Sequence, residues 1–189
     1  MRVVIAEDEA VIRMDLKEIL QENACDVVGM ARSGDEAVAL ARRLRPDCAF
    51  VDIQMQGCDG IEAARVICAE NLCAVVILSA FSQESFVHQA AEAGVMAYVS
   101  KPFSEADIIP ALHVAVSRFA QQQALANEVD DLQERLETRK VVERAKGLLM
   151  KEGLDEPEAF RRLQRTAMTS RKTLREVAEA YLLAYELRS

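Results

Sequence analysis

No stretch of this 189-residue chain reaches the roughly 18 consecutive apolar residues that a membrane helix needs. None is therefore expected to span a bilayer, and the protein is expected in the cytoplasm. The opening MRVVIAEDEA passes from a short apolar run straight into acid, without the longer apolar segment and small-residue cleavage site of a secretory leader. No two cysteines take CxxC spacing, and neither His88 nor His113 completes a zinc set. The five cysteines (Cys25, Cys48, Cys58, Cys68, Cys73) are odd in number and confined to the first 73 residues, so free thiols are expected. Linker composition is missing too. Between Pro110 and Met150 there is no further proline, and Gly147 is the only glycine.

What is present is an ordinary globular composition, 51% hydrophobic and 29% charged, able to bury a core. The net charge of −8 is unevenly spread. Residues 1–118 hold 10 basic and 18 acidic side chains, residues 119–138 hold 1 and 5, and residues 139–189 hold 12 and 8. An acidic front and a basic tail suggest two jobs on one chain, and the tail is a weak sign of a polyanion partner.

The first 118 residues alternate short β-branched runs with amphipathic stretches. RVVIAE, DVVGMA, DCAFVDI, AVVILSA and MAYVSK read as five strands, all but the last nearly continuous in apolar residues, as strands covered on both faces require. Helical patterns follow at Ala10–Gln21, Gly34–Leu44, Gly60–Glu70, Glu84–Ala93 and from near Ser104. This predicts an α/β fold, a doubly wound five-stranded parallel sheet with helices on both faces. One long helix is expected to leave this domain. Leu125, Val129, Leu132 and Leu136 step along it in a short heptad seam, a route to a homodimer or a face lying on its own domain. The boundaries read as 1–118, a helical linker over 119–138, and 139–189 as a small all-α three-helix bundle. In that bundle, Asp155, Pro157 and Glu158 predict a capped helix start, with Ala159, Phe160, Leu163 and Ala167 as its apolar face. A last helix is expected from near Ser170, burying Leu174, Val177, Ala178, Tyr181 and Leu182.

The polar residues at the strand ends carry the chemistry. Glu7 and Asp8 follow the first strand, Asp52 ends the third, Ser79 ends the fourth, and Lys101 follows the fifth. In a parallel sheet these ends share one edge, where ligands bind. Three converging carboxylates repel unless a cation sits among them, and oxygen ligands of this kind suit Mg²⁺. An aspartate, metal acids, a hydroxyl and an ammonium together fit an aspartyl-phosphate site.

The segments AEDE, FVDIQMQGCDG, LSA and YVSKPF closely resemble response-regulator receiver domains over roughly residues 1–118. The resemblance implies Asp52 as phospho-acceptor for a sensor histidine kinase. It implies Mg²⁺ held by Glu7, Asp8, Asp52 and the backbone carbonyl of Gln54. Lys101 would pair with the phosphoryl group and Ser79 would hydrogen-bond it. Tyr98 resembles the aromatic switch, although an aromatic there also serves simple packing. A cis Lys101–Pro102 bond is implied. Gln56 stands where the family usually has proline. The domain would promote phosphoryl transfer to its own aspartate and is not expected to be an enzyme otherwise.

Residues 136–187 resemble the ANTAR domain, the RNA-binding output of transcription antiterminators, through Arg139, AKGLLM at 145–150, EAF at 158–160 and LREVA at 174–178. RNA hairpins in leader transcripts are then the implied partner, contacted by Arg139, Lys146, Gly147, Arg165, Arg171 and Lys172. Arg161, Arg162 and Arg175 read as solvated helix faces. Two other outputs compete: a helix-turn-helix DNA binder, for which TSRKTLREVA could pass, and a protein-interaction module. Gly147 raises its own question, because a glycine inside a helix costs about 1 kcal/mol relative to alanine.

Overall fold

The computed structural model describes residues 1–55, 60–80 and 93–186. The expected helix at Glu84–Ala93, all but its last residue, and the Gln56 departure lie outside the described residues. Two compact units divide the chain, Met1–Gln123 and Ala124–Ser189.

In the first unit, β1 (Arg2–Ala6), β2 (Asp26–Ala31), β3 (Cys48–Asp52), β4 (Ala74–Ser79) and β5 (Ala97–Ser100) form one sheet. All four pairings are parallel, in the order β2-β1-β3-β4-β5. α1 (Ala10–Glu22), α2 (Gly34–Leu44) and α3 (Gly60–Ala69) follow the first three strands, and α4 (Glu105–Lys151) follows β5. Alternate residues on each strand feed opposite cores, as the two-residue period of a strand demands. Val4, Ala6, Ala49, Val51, Val75 and Ile77 join Ala37, Ala41, Ala64 and Ile67 of α2 and α3. Val3, Ile5, Phe50, Val76 and Leu78 join Leu16 and Leu20 of α1 and Ile108, Leu112 and Ala115 of α4. Burial on both faces is why the strands read as continuous apolar runs. The four described cysteines are free thiols, as expected. Cys58 lies outside the described residues.

The strand order reverses between β1 and β3, and there the carboxyl ends of neighbouring strands part to leave a crevice. That crevice places the site.

The second unit is a bundle of the last turns of α4 with α5 (Glu156–Ser170) and α6 (Leu174–Glu186). Its core joins Val142, Ala145 and Leu149 to Ala159, Leu163 and Ala167, and to Val177 and Ala178. The predicted capping box is present: the Asp155 side chain accepts from Glu158 N–H, and Glu158 returns the bond to Asp155 N–H. Two expectations are corrected. Phe160 is 36% exposed, because Ala159, Leu163 and Ala167 at four-residue steps define the buried line and Phe160 sits off it. The last helix starts at Leu174, not near Ser170, because α5 runs on to Ser170 and Arg171 closes it in a left-handed conformation. Thr173 and Glu176 then form a second reciprocal cap. Leu125, Val129, Leu132 and Leu136 are 51–64% exposed, so no described part of the chain covers the seam.

Candidate functional site

Glu7 follows β1 directly, and its amide is fixed by donating to the Ala31 carbonyl at 3.1 Å. Its side chain is fully buried, and Asp52 at the end of β3 is 4% exposed. Lys101 reaches both. Its Nζ lies 2.7 Å from Glu7 Oε2 and 2.9 Å from Asp52 Oδ1. The Lys101 amide donates to the Ser79 carbonyl at 2.7 Å, tying the β5 loop to the end of β4, and the Lys101–Pro102 bond is cis. Ser79 is buried beside it, and Tyr98 of β5 is half-buried against the α2–α3 core. Glu7, Asp52, Ser79 and Lys101, singled out in the sequence, are thus brought together, across as many as 94 positions.

Carboxylate oxygens of Glu7, Asp8 and Asp52 lie within 4.8 Å of one another. Burial pushes the Glu7 and Asp52 carboxyls above the usual carboxylate range, and hydrogen bonds from Lys101 only partly offset it. Burial pulls the Lys101 ammonium down, but the bonds it donates to Glu7 and Asp52 outweigh this and hold it above its ordinary value. Three carboxylates against one ammonium leave two negative charges uncompensated, which suits a divalent cation. The exposed Gln54 and the Asp52 side chain border an open cavity of about 400 Å³, walled on its other side by Ile12, Pro102 and Phe103.

Two residues here escaped the sequence reading. Arg13 is 8% exposed, and its Nη1 donates to the Glu7 carbonyl at 2.6 Å and the Asp8 carbonyl at 3.2 Å. It clamps the backbone on which both acids ride. A signal existed, since a cation in the first turns of a helix opposes the helix dipole and needs another reason to be there. Gly60 opens α3, and a Cβ on it would lie 1.8 Å from the Asp52 carbonyl oxygen. Only hydrogen fits between these two backbones.

In the second unit the structure sorts the cations. Arg139, Arg165, Arg171 and Lys172 are exposed, and their side chains bond to no described residue. Lys146, expected as a phosphate contact, differs in its surroundings. It is 7% exposed and its Nζ donates to Glu156 at 2.7 Å and Glu143 at 3.0 Å, so it ties α4 to the start of α5. Those bonds also raise its pKa. Gly147 is exposed, and a Cβ there would meet nothing within 4 Å. Packing gives no reason for the glycine.

The sheet order is that of a receiver domain, and one lysine is shared by two of its strand-end acids. Residues 3–113 match the response regulator receiver domain and residues 130–181 match the ANTAR domain. The chain belongs to the response regulators that carry an ANTAR domain behind the receiver. Over 182 residues it is 53% identical to the transcriptional regulatory protein PdtaR of Mycobacterium tuberculosis, covering 96% of this chain and 89% of that protein. It is 35% identical over 116 residues to the transcriptional regulatory protein LiaR of Bacillus subtilis, which covers 60% of this chain and 55% of that one. Among solved structures, the receiver domain of the sensor histidine kinase PA1611 from Pseudomonas aeruginosa has a magnesium ion coordinated in its active site cleft. It superposes with a TM-score of 0.56 at 26% identity, covering 61% of this chain and 97% of that one. No helix among the described residues is long and apolar enough to cross a membrane.

Proposed function

We propose that the chain is a cytoplasmic response regulator phosphorylated on Asp52 by a sensor histidine kinase, and that its ANTAR unit binds RNA hairpins in leader transcripts to control antitermination. The observation that carries the receiver half is Lys101 held between Asp52 and Glu7. In the transfer, an Asp52 carboxylate oxygen attacks the phosphorus of the phosphohistidine donor. The new O–P bond forms as the P–N bond breaks, and the imidazole leaves with the electron pair. Lys101 neutralises oxygens of the transferring group, and Ser79 then donates its hydroxyl to the phosphoryl group. Glu7, Asp8, Asp52 and the Gln54 carbonyl are the groups that would hold Mg²⁺, which neutralises phosphoryl charge when bound. Arg13 keeps the Glu7–Asp8 backbone in place, and Tyr98 reports the movement of Ser79. The domain acts on its own aspartate and on no other substrate.

For the output, the unpaired cations of the second unit supply the polyanion contacts, and its match to the ANTAR domain selects RNA over duplex DNA or protein. The exposed seam at Leu125, Val129, Leu132 and Leu136 offers a homodimer route that would present two bundles to two hairpins; a contact through the receiver is the alternative. The test is sequencing of RNA recovered with the full chain, with and without acetyl phosphate and Mg²⁺. Enrichment of hairpin-bearing leader transcripts that changes with phosphorylation is expected. Equal recovery in both states, or displacement by duplex DNA at matched salt, overturns the reading.

Two substitutions probe the RNA surface separately from the fold. Gly147→Ala adds a methyl in open space, so it should raise helix stability by about 1 kcal/mol. Hairpin affinity measured alongside should fall several-fold if backbone and RNA approach closely there, and unchanged affinity makes the glycine incidental. Arg171 closes α5 with φ at 55°, a conformation that costs a non-glycine residue. Arg171→Gly should therefore leave the thermal midpoint unchanged or raised, worth about 0.5–1 kcal/mol, while RNA binding weakens through the lost guanidinium. A lowered midpoint would show that the side chain serves the fold.

A further inference from the structure

Between α5 and α6 runs a groove of about 300 Å³, the lower end of small-molecule sites. Its floor is apolar, from Leu149, Leu163 and Val177, and Tyr181 forms one wall. The Tyr181 hydroxyl donates to Glu152 at 2.5 Å, which holds the ring in place. Arg162 and Lys172 border the groove, and neither side chain bonds to a described residue. Two hydroxyls complete the lining. Thr166 donates to the Arg162 carbonyl at 2.9 Å, and Ser170 donates to the Thr166 carbonyl at 2.6 Å. Their protons are committed to their own helix, so only oxygen lone pairs are left for a ligand.

We propose that this groove receives one unstacked nucleobase of an RNA loop. The inference rests on the RNA-binding reading above and names the part of the RNA that the second unit reads. An apolar floor with an anchored aromatic wall takes the face of a base, since stacking on aromatics needs no particular sequence. Hydroxyl oxygens that accept but do not donate meet the N–H donors that every base carries on its polar edge. Arg162 and Lys172 take the phosphates on either side. Charge separates this groove from the one bordered by Arg139 and Phe160, which sets Asp131, Glu134 and Glu143 against Arg135 and Arg139. Among the described residues, no acid lines the groove between α5 and α6. Arg162, read from the sequence as a solvated side chain, thereby gains a role.

Ala180 and Ala184 are exposed residues of α6 that line the groove, and leucine is nearly as good a helix former as alanine. The double variant Ala180→Leu with Ala184→Leu fills the groove and leaves the bundle core untouched. The full-length protein is first used to select hairpins from an RNA pool with a fixed stem and a randomised loop. The best hairpin is then remade with each loop position abasic in turn. One abasic position should cost the wild type about tenfold in affinity, the scale of one base stacked on an aromatic. The filled variant should bind the intact hairpin about tenfold more weakly, and that same abasic position should cost it nothing further. Wild-type affinity in the filled variant, or equal losses in both proteins at every abasic position, overturns the groove and leaves RNA binding standing. A pool that enriches no hairpin overturns both. Arg162→Ala, wholly on the surface, is the second variant. It should weaken binding at least threefold and flatten the salt dependence, and unchanged affinity counts against the groove.

Discussion

Asp52→Asn should abolish phosphoryl uptake from acetyl phosphate with Mg²⁺, and the variant should melt no earlier than the wild type in Mg²⁺-free buffer. The first outcome follows from chemistry, because an amide nitrogen or oxygen at that position does not form a stable acyl phosphate. The second follows from burial. The folded-state pKa of Asp52 is raised above its unfolded value. The folded chain therefore binds more protons between the two values, and stability falls as pH rises through that window. Above the folded-state pKa the penalty is present in full. Asparagine carries no charge and removes it, and Lys101 keeps Glu7 as its partner at 2.7 Å. Phosphate incorporation and a thermal melt on the same samples separate lost chemistry from lost fold. Labelling that survives places the acceptor elsewhere, and a melt lowered by several degrees shows that Asp52 also holds the crevice together.

Gly60→Ala should be the most damaging single methyl in the first unit. The added Cβ would lie 1.8 Å from the Asp52 carbonyl oxygen, 2.8 Å from the Asp52 carbonyl carbon and 3.0 Å from Ile53 Cα. All three are backbone atoms at the end of β3, in a segment tied on both sides. Ile53 N–H donates to the Leu78 carbonyl, and the Ile53 carbonyl accepts from Gly60 N–H. No flexible side chain is available to give way, so the strand end or the start of α3 has to move. Overpacking of this kind costs about 3 kcal/mol. A shift that carries Asp52 off Lys101 should slow phosphoryl uptake as well. Urea unfolding and labelling kinetics measure the two. A loss under about 1 kcal/mol with normal labelling would mean that α3 yields freely.

These two positions also show what a sequence discloses. Asp52 was legible because its chemistry depends on residue type, and because Val51 and Phe50 before it mark a strand end. The same holds for Lys101, whose strand YVS is short but bounded by proline. Gly60 was not legible as a close approach, since the atoms it avoids belong to a strand eight residues earlier and only the folded chain brings them near. Arg13 failed for a related reason: its partners are backbone carbonyls, which every residue has. Lys146 could be seen three residues from Glu143, but Glu156, its nearer partner, comes from beyond the turn that ends α4. Cations on a basic helix look alike until such partners are placed. The start of α6 was legible and misread, because Thr173 and Glu176 carry the same cap spacing that located α5.

The placement of the tyrosines has a practical consequence. The chain has no tryptophan and only three tyrosines. Tyr98 stands on β5 of the first unit, while Tyr181 and Tyr185 belong to α6 of the second. Intrinsic emission therefore comes from tyrosine alone, with separate fluorophores for the two halves of the signalling event. A Tyr98→Phe chain glows only from the output unit, and a chain with Tyr181 and Tyr185 replaced glows only from the receiver. Each half becomes optically addressable without any attached dye.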